Sequence, residues 1–267
     1  MSLEEYYFID GGGTQFTIAF SSSRVLLGLS GAGMADVEHF TQRIPSQHRS
    51  LHLGYKFRPR YLTFRIRDIA STRDTMWSHH QDWLGAFNPD KGEGYVKVIL
   101  SDATERRLDC RYNDGLKFDS DDRKGPFLQG DIVQVMAVDP FWYNPTPVTA
   151  TGNFNGATPV DVAVTNGGHI GTYPVLTITG AVNTPRVTLV STGEYVELSY
   201  DLTATHHFDA DCEEGTILYD DTTNEIDELT KASTLFYIPR GSQTLRLTAT
   251  SGAGAFSVTW YTRFLGI

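Results

Sequence analysis

The chain has 267 residues, 40% of them apolar and 12% aromatic, which is ample for a buried core in one large domain or two ordinary ones and excludes a disordered composition. With 22 Lys and Arg against 32 Asp and Glu the formal charge is −10, a balance that repels phosphate backbones and argues against sequence-independent nucleic-acid binding. Apolar runs such as Val25-Leu26-Leu27 are far shorter than a bilayer span, and the start lacks a charged segment leading into an apolar one, so neither membrane insertion nor a secretory signal is expected.

The first motif is YYFIDGGGTQFTI (6–18), where Asp10-Gly11-Gly12-Gly13-Thr14 separates two apolar runs. Sugar kinases and actin-like ATPases open their phosphate site with such a turn. They also need a second phosphate hairpin, an adenosine-binding glycine motif and crossover helices, and none of these is present; Walker spacing is absent too. The stretch reads as a hairpin turn, for which Asp-Gly is a strong signal. In RSLHLGYKF, Leu51, Leu53, Tyr55 and Phe57 alternate with Ser50, His52 and Lys56. In YLTFRIR, Leu62, Phe64 and Ile66 alternate with Thr63, Arg65 and Arg67. Period-two alternation predicts half-buried strands, with Pro59 marking a break or an edge between them.

STRDTMWSHHQDWLGAFNP departs from that period. Met76, His80, Trp83, Leu84 and Phe87 fall at helical spacing, Ser71 with Asp74 reads as a capping box, and Asn88-Pro89 is a stop. A helix is expected over roughly 72–88, its Trp83 face against the sheet. GYVKVIL and GDIVQVMAV return to strand. DPFWYNPTPVTATGNFNG (139–156) reads as a closing strand followed by a linker. Beyond it, VDVAVTNGG, YPVLTITG, PRVTLVSTG, YVELSYD, TILYDD, TLFYIPRG, QTLRLTAT and AFSVTWYTRF are short strands punctuated by Gly, Pro and Asn. With no helical segment among them, they predict an antiparallel sandwich.

Candidate chemistry is sparse. Cys110 and Cys212 lie far apart, share no ligand spacing and read as free thiols. Adjacent helical residues point about 100° apart, so His79 and His80 cannot ligate one ion together; His80 reads as core edge and His79 as solvent-facing. In HHFDADC, His207, Asp209 and Asp211 share a strand face, which reads as a solvated row rather than a metal site. Asp119-Ser120-Asp121-Asp122 and Asp220-Asp221 read as solvated loops, because a calcium loop needs a later bidentate Glu. No Gly-x-Ser-x-Gly elbow or catalytically placed Cys is found, and nothing selects a carboxylate pair from so many. No catalytic residue, cofactor or metal is therefore expected.

In QGDIVQVMAVDPFWYNP a strand ends in Asp139, Pro140, Phe141, Trp142 and Tyr143 at the close of an all-β first half. RYLTFRIRDI, a helix ending at Asn88-Pro89, and GYVKVIL precede it. Asn166, Gly168, Pro174, Gly180, Gly193, Phe208-Asp209, Pro239 and Gly241 follow in order. This ordered combination resembles the distal tail protein family of siphophages, the phage tail hub proteins, with local departures at the Gly-rich turn and at PRGSQ.

The resemblance implies a mainly β fold: an N-terminal β-barrel-like belt domain with one helix over 1–145, and a C-terminal galectin-like β-sandwich over 146–267. It implies a non-enzymatic virion protein at the distal end of the tail, made in the host cytoplasm. There it would form a homohexameric ring between the tail tube protein and the tail-tip or tail-associated hub protein, next to receptor-binding or side-fibre proteins, with DNA passing through. Phe141-Trp142-Tyr143, with Asp139 and Pro140, would serve as an interface or as a domain-junction anchor; both suit Trp and Tyr. Asp119, Asp121 and Asp122 would face the lumen. Two other readings compete: a carbohydrate-binding protein acting in host-surface attachment, with Trp260-Tyr261 as stacking residues, and a wall-degrading hydrolase, which no constellation supports.

Overall fold

The computed structural model of the protein describes residues 4–18, 23–45, 47–118 and 128–267. By its internal contacts the chain divides into two compact units, residues 1–143 with 265–267, and residues 144–264.

The first unit contains β1 (Glu5–Ile9), β2 (Gln15–Thr17), β3 (Arg24–Ser30), β4 (Val37–Arg43), β5 (Ser50–Phe57), β6 (Arg60–Ile69), α1 (Arg73–Ala86), β7 (Gly94–Ile99), β8 (Glu105–Gly115), β9 (Leu128–Ala137) and β10 (Trp142–Tyr143). Its main sheet runs β2-β1-β7-β8-β9-β6-β3, with β10 paired to β8 through Tyr143 and Arg107. The first half of β8 pairs with β7 and its second half with β9, past a bulge between Tyr112 and Asp114. A bulge bends its strand. The two halves of the sheet face one another, as shown by Tyr6 of β1 meeting Phe64 of β6 edge-on with centroids 6.2 Å apart. The expected barrel does not close among the described residues: the sheet is open, ending at β2 and β3. The alternation read in β6 holds. Leu62, Phe64 and Ile66 are buried while Tyr61 and Ile69 are exposed. Each such buried side chain stabilises the fold by about 1.5–3 kcal/mol.

Helix α1 is capped one residue later than expected. Thr72, not Ser71, accepts the Thr75 N–H at 3.1 Å. Met76, His80 and Trp83 are buried, but Leu84 is exposed, so the apolar face is narrower than the spacing suggested. Trp83 meets Phe16 edge-on at 4.6 Å, and Phe87 stacks on Phe8 at 4.3 Å. The Trp83 indole N–H donates to Asp68 Oδ2 at 2.8 Å, a buried bond. Burial raises the Asp68 carboxyl above its ordinary pKa, against the lowering effect of that bond.

The glycine-rich stretch is a hairpin turn between β1 and β2, Ile9 pairing with Gln15. Asp10 Oδ1 accepts the N–H groups of Gly12 and Thr14 at 3.0 and 2.8 Å, and its Oδ2 pairs with Lys91 Nζ at 2.7 Å. The amides a phosphate would need are thus occupied by the protein's own carboxylate. The Lys91 bond leads the effects that hold Asp10 below the usual carboxylate range.

The second unit contains β11 (Val148–Asn153), β12 (Val160–Asn166), β13 (Val175–Thr179), β14 (Val182–Asn183), β15 (Arg186–Leu189), β16 (Tyr195–Glu197), β17 (Asp201–Leu202), β18 (His207–Asp211), β19 (Thr216–Tyr219), β20 (Thr223–Asn224), β21 (Gly241–Thr248), β22 (Ser251–Gly252), β23 (Ala255–Trp260) and β24 (Arg263–Phe264). A sheet ordered β11-β23-β13-β18-β19-β20 and a sheet ordered β12-β21-β15-β16 share one core, in which Leu176, Phe208 and Val258 of the first join Val187, Leu245 and Leu247 of the second. This is the antiparallel sandwich the sequence predicted. Two segments differ. TLFYIPRG, expected as a strand, forms none up to Arg240 and makes only an isolated bridge from Ile238 to Thr172, since Pro239 has no N–H with which to extend a ladder. Val148–Asn153, expected as linker, is the edge strand β11, paired along its whole length with β23. An edge strand needs only one good neighbour, and small polar residues suffice there.

The Asn-x-Gly pattern also has a physical basis. Buried Asn166 donates to the carbonyls of Ile170 and Ile238 at 2.9 and 3.2 Å and accepts the Gly168 N–H at 3.0 Å. A Cβ at Gly168 would lie 2.4 Å from the Arg263 carbonyl oxygen. Among the described residues no helix is long and apolar enough to cross a membrane.

Candidate assembly surface

Between β3 and β6, which pair with one another, the chain leaves the main sheet as the two-stranded hairpin β4–β5. The sequence predicted that Leu51, Leu53 and Tyr55 would be half buried. They are exposed, at 52%, 60% and 60%, as is Phe40 at 47%. The alternation is also interrupted, because Leu53 is an extra residue between the pairs Phe40↔Gly54 and Thr41↔His52. The hairpin pairs with no other strand in the chain's described sheets. It therefore carries a strand's apolar complement without a core to receive it.

The root of this arm is fixed by Arg60, a residue the sequence reading did not single out. Arg60 is 3% exposed. Its guanidinium donates to the carbonyl oxygens of Pro140 (2.6 Å), Gly31 (2.6 Å), Gly33 and Leu265 (2.7 Å). One planar fork so ties the segment entering the arm, the closing motif of the first half and the C-terminal segment. Lysine, a point charge on a flexible stem, cannot copy this. Desolvation lowers the Arg60 pKa, and the nearby carboxylates of Asp139 and Asp36 oppose that lowering. At Gly31, φ is +88° and a Cβ would lie 2.0 Å from the Tyr61 carbonyl oxygen, so the approach requires glycine. The only sequence signal for this clasp was a basic residue beginning an otherwise alternating strand.

The residues of the Asp139–Tyr143 motif separate into distinct settings. Pro140 and Trp142 are buried, Trp142 completely. Phe141 is half-buried and meets Phe57, the last residue of β5, edge-on at 5.0 Å. Tyr143 donates from its hydroxyl to Asp109 Oδ1 at 2.9 Å; burial leads the effects that raise both groups' pKa values. Asp119, Asp121 and Asp122 lie outside the described residues.

In the second unit, His207 and Asp209 are close, but Asp211 is not the third member of the group. Asp211 Oδ1 accepts the N–H groups of Glu213 and Glu214. Its place is taken by Asp221, whose Oδ1 lies 3.3 Å from His207 Nε2. Strand spacing could not reveal this, since Asp221 arrives from a different element. His80 is buried, as its edge-of-core reading allowed, and His79 is half-buried rather than solvent-facing. Both cysteines are free and buried; burial pushes the Cys212 thiol up to about 12 and Cys110 further. Trp260, the stacking residue of the carbohydrate reading, is 2% exposed, which leaves only Tyr261 accessible there.

Comparison with known proteins gives a family match over part of the chain and fold matches over nearly all of it. Residues 167–264 match the family model of the siphovirus-type tail component, C-terminal domain. Among solved structures, the Dit protein of phage SPP1, described as a paradigm of the hub adsorption apparatus in phages infecting Gram-positive bacteria, is similar across 98% of this chain and all of its own, with a TM-score of 0.75 at 14% identity. A chain of the phage P2 baseplate, in its activated conformation with calcium, matches 96% of this chain and 98% of its own length, with a TM-score of 0.51 at 9% identity. No curated protein matches in sequence. The resemblance to siphophage distal tail proteins is borne out, by the family model over 167–264 and in fold along nearly the whole chain.

Proposed function

We propose that this chain is a structural hub protein of a long, non-contractile phage tail. Six copies close into a ring that joins the tail tube to the tail-tip or baseplate proteins and lets DNA pass, at the distal end of the virion. The observation that carries this reading is the β4–β5 arm, with Leu51, Leu53 and Tyr55 uncovered on a root held by Arg60. A ring needs a heterologous contact that closes on itself, and a strand arm reaching a second copy supplies one. The family match and the Dit and baseplate folds support the tail setting. The lumen stays acidic or neutral in this proposal. The test is light scattering with negative-stain imaging of the purified chain, alone and with tail tube protein. A six-fold ring with a central hole is expected; a monomer under both conditions overturns the reading.

A further inference from the structure

We propose that His207, Asp209 and Asp221 form a binding site for a divalent transition-metal ion, with zinc the ion their donor set fits best. The site lies in the sandwich unit.

The three side chains come from two elements. His207 and Asp209 are two apart on β18 and share its face. Asp221 is delivered by the turn between β19 and β20, in which Asp220 and Asp221 have φ of 47° and 60° and the Thr222 N–H bonds to the Tyr219 carbonyl. One ligand atom from each residue lies within 4.8 Å of the others. His207 Nε2 is 3.3 Å from Asp209 Oδ2 and 3.3 Å from Asp221 Oδ1. One ring N–H cannot serve two oxygens equally, and both separations exceed the ~2.7–2.9 Å of a charge-assisted hydrogen bond. They do match the edge of a tetrahedron: donors ~2.0–2.1 Å from a central zinc stand about 3.3–3.4 Å apart.

The surroundings orient these donors. His207 Nδ1 lies 3.3 Å from Asp220 Oδ1, which also accepts the His207 backbone N–H at 3.1 Å. Asp220 thus lies on the Nδ1 side of the ring and leaves Nε2 to ligate, the side on which metal-bound imidazoles elsewhere carry their carboxylate partner at hydrogen-bond distance. Asp209 Oδ1 accepts the Thr177 hydroxyl at 2.5 Å, leaving Oδ2 toward His207. Two carboxylates and one imidazole suit zinc, cobalt or nickel. Calcium prefers six to eight oxygens, and magnesium keeps most of its waters. Asp221 is exposed, so water can complete the sphere. A bound ion would staple the β19–β20 turn to β18 at the sheet's edge.

The experiment is isothermal titration of the untagged full-length chain with Zn2+, Ca2+ and Mg2+, and with Co2+ followed by visible absorption. His39 Nδ1 and His52 Nε2 face one another at 3.1 Å on the β4–β5 arm and could capture zinc themselves, so His52→Ala is the background. One zinc per chain is expected there, with tetrahedral cobalt bands and no calcium binding at the same concentration. Adding Asp221→Asn, at a position that packs into no core, should weaken zinc by about tenfold or more. Two results overturn the proposal: no zinc bound at about millimolar concentration, or affinity unchanged by Asp221→Asn.

Discussion

At the scale of single residues, three buried charges do different work. Arg60 donates to four carbonyl oxygens from three separate segments, so Arg60→Met should destabilise the first unit by roughly 3 kcal/mol or more. Arg60→Lys should recover only part of that loss. Urea denaturation measures both, and equal midpoints for wild type and Arg60→Met would remove the clasp from the account. Asp10 and Asp68 should show opposite pH behaviour. The folded pKa of Asp10 is depressed, so its contribution is present above the unfolded carboxylate value of about 3.9 and is lost as pH falls through the folded value. Asp10→Asn should therefore lower stability at pH 7 and matter little in strong acid. The folded pKa of Asp68 is raised, so its burial is least costly below the unfolded value and the cost appears as pH rises through the folded one. Asp68→Asn keeps an acceptor for Trp83 and should be neutral or stabilising at pH 7, by up to about 1 kcal/mol. A clear loss of stability in thermal unfolding at pH 7 would contradict this.

At the scale of elements, β5 and β6 are instructive because their sequences read alike. Both alternate, and the alternation correctly gave strands in both. In β6 the apolar set enters the core; in β5 it faces outward. Period-two patterning reports that a face is to be covered, not what covers it. The same limit explains the site in the second unit, where β18 was legible but its partner Asp221 was not. Other readings failed for local reasons. Thr72 rather than Ser71 caps α1 because both can do so and geometry decides, and Val148–Asn153 lacks the apolar content of a central strand because it lies at an edge. The β4–β5 arm gives an element-level prediction. Leu51→Ser combined with Leu53→Ser changes two side chains that are each more than half exposed and should change the stability of the isolated chain by no more than about 1 kcal/mol. In the proposed ring it should abolish assembly, read as a shift from hexamer to monomer in light scattering; rings formed at wild-type yield would rule the arm out as the contact.

At the scale of the molecule, the C-terminal residues 265–267 belong to the first unit although they follow the second in sequence. Leu265 accepts from Arg60 and the Ile267 N–H bonds to the Ala32 carbonyl at 3.3 Å. Deleting Leu265–Ile267 should lower the first unit's stability and speed amide exchange around Gly31–Ala32, while the sandwich core centred on Leu176 and Val258 keeps its protection. Uniform loss across both units would show that they unfold as one. The clasp has a consequence for how such a chain can change over generations. Pro140 and Leu265 flank the entire second unit, yet both carbonyls are reached by one guanidinium. Whatever is encoded between them must only return its two ends to that small gap. Domains commonly have adjacent termini. Recombination could therefore exchange the sandwich for an unrelated module, or enlarge it, and the sheet that bears the arm would still fold around Arg60.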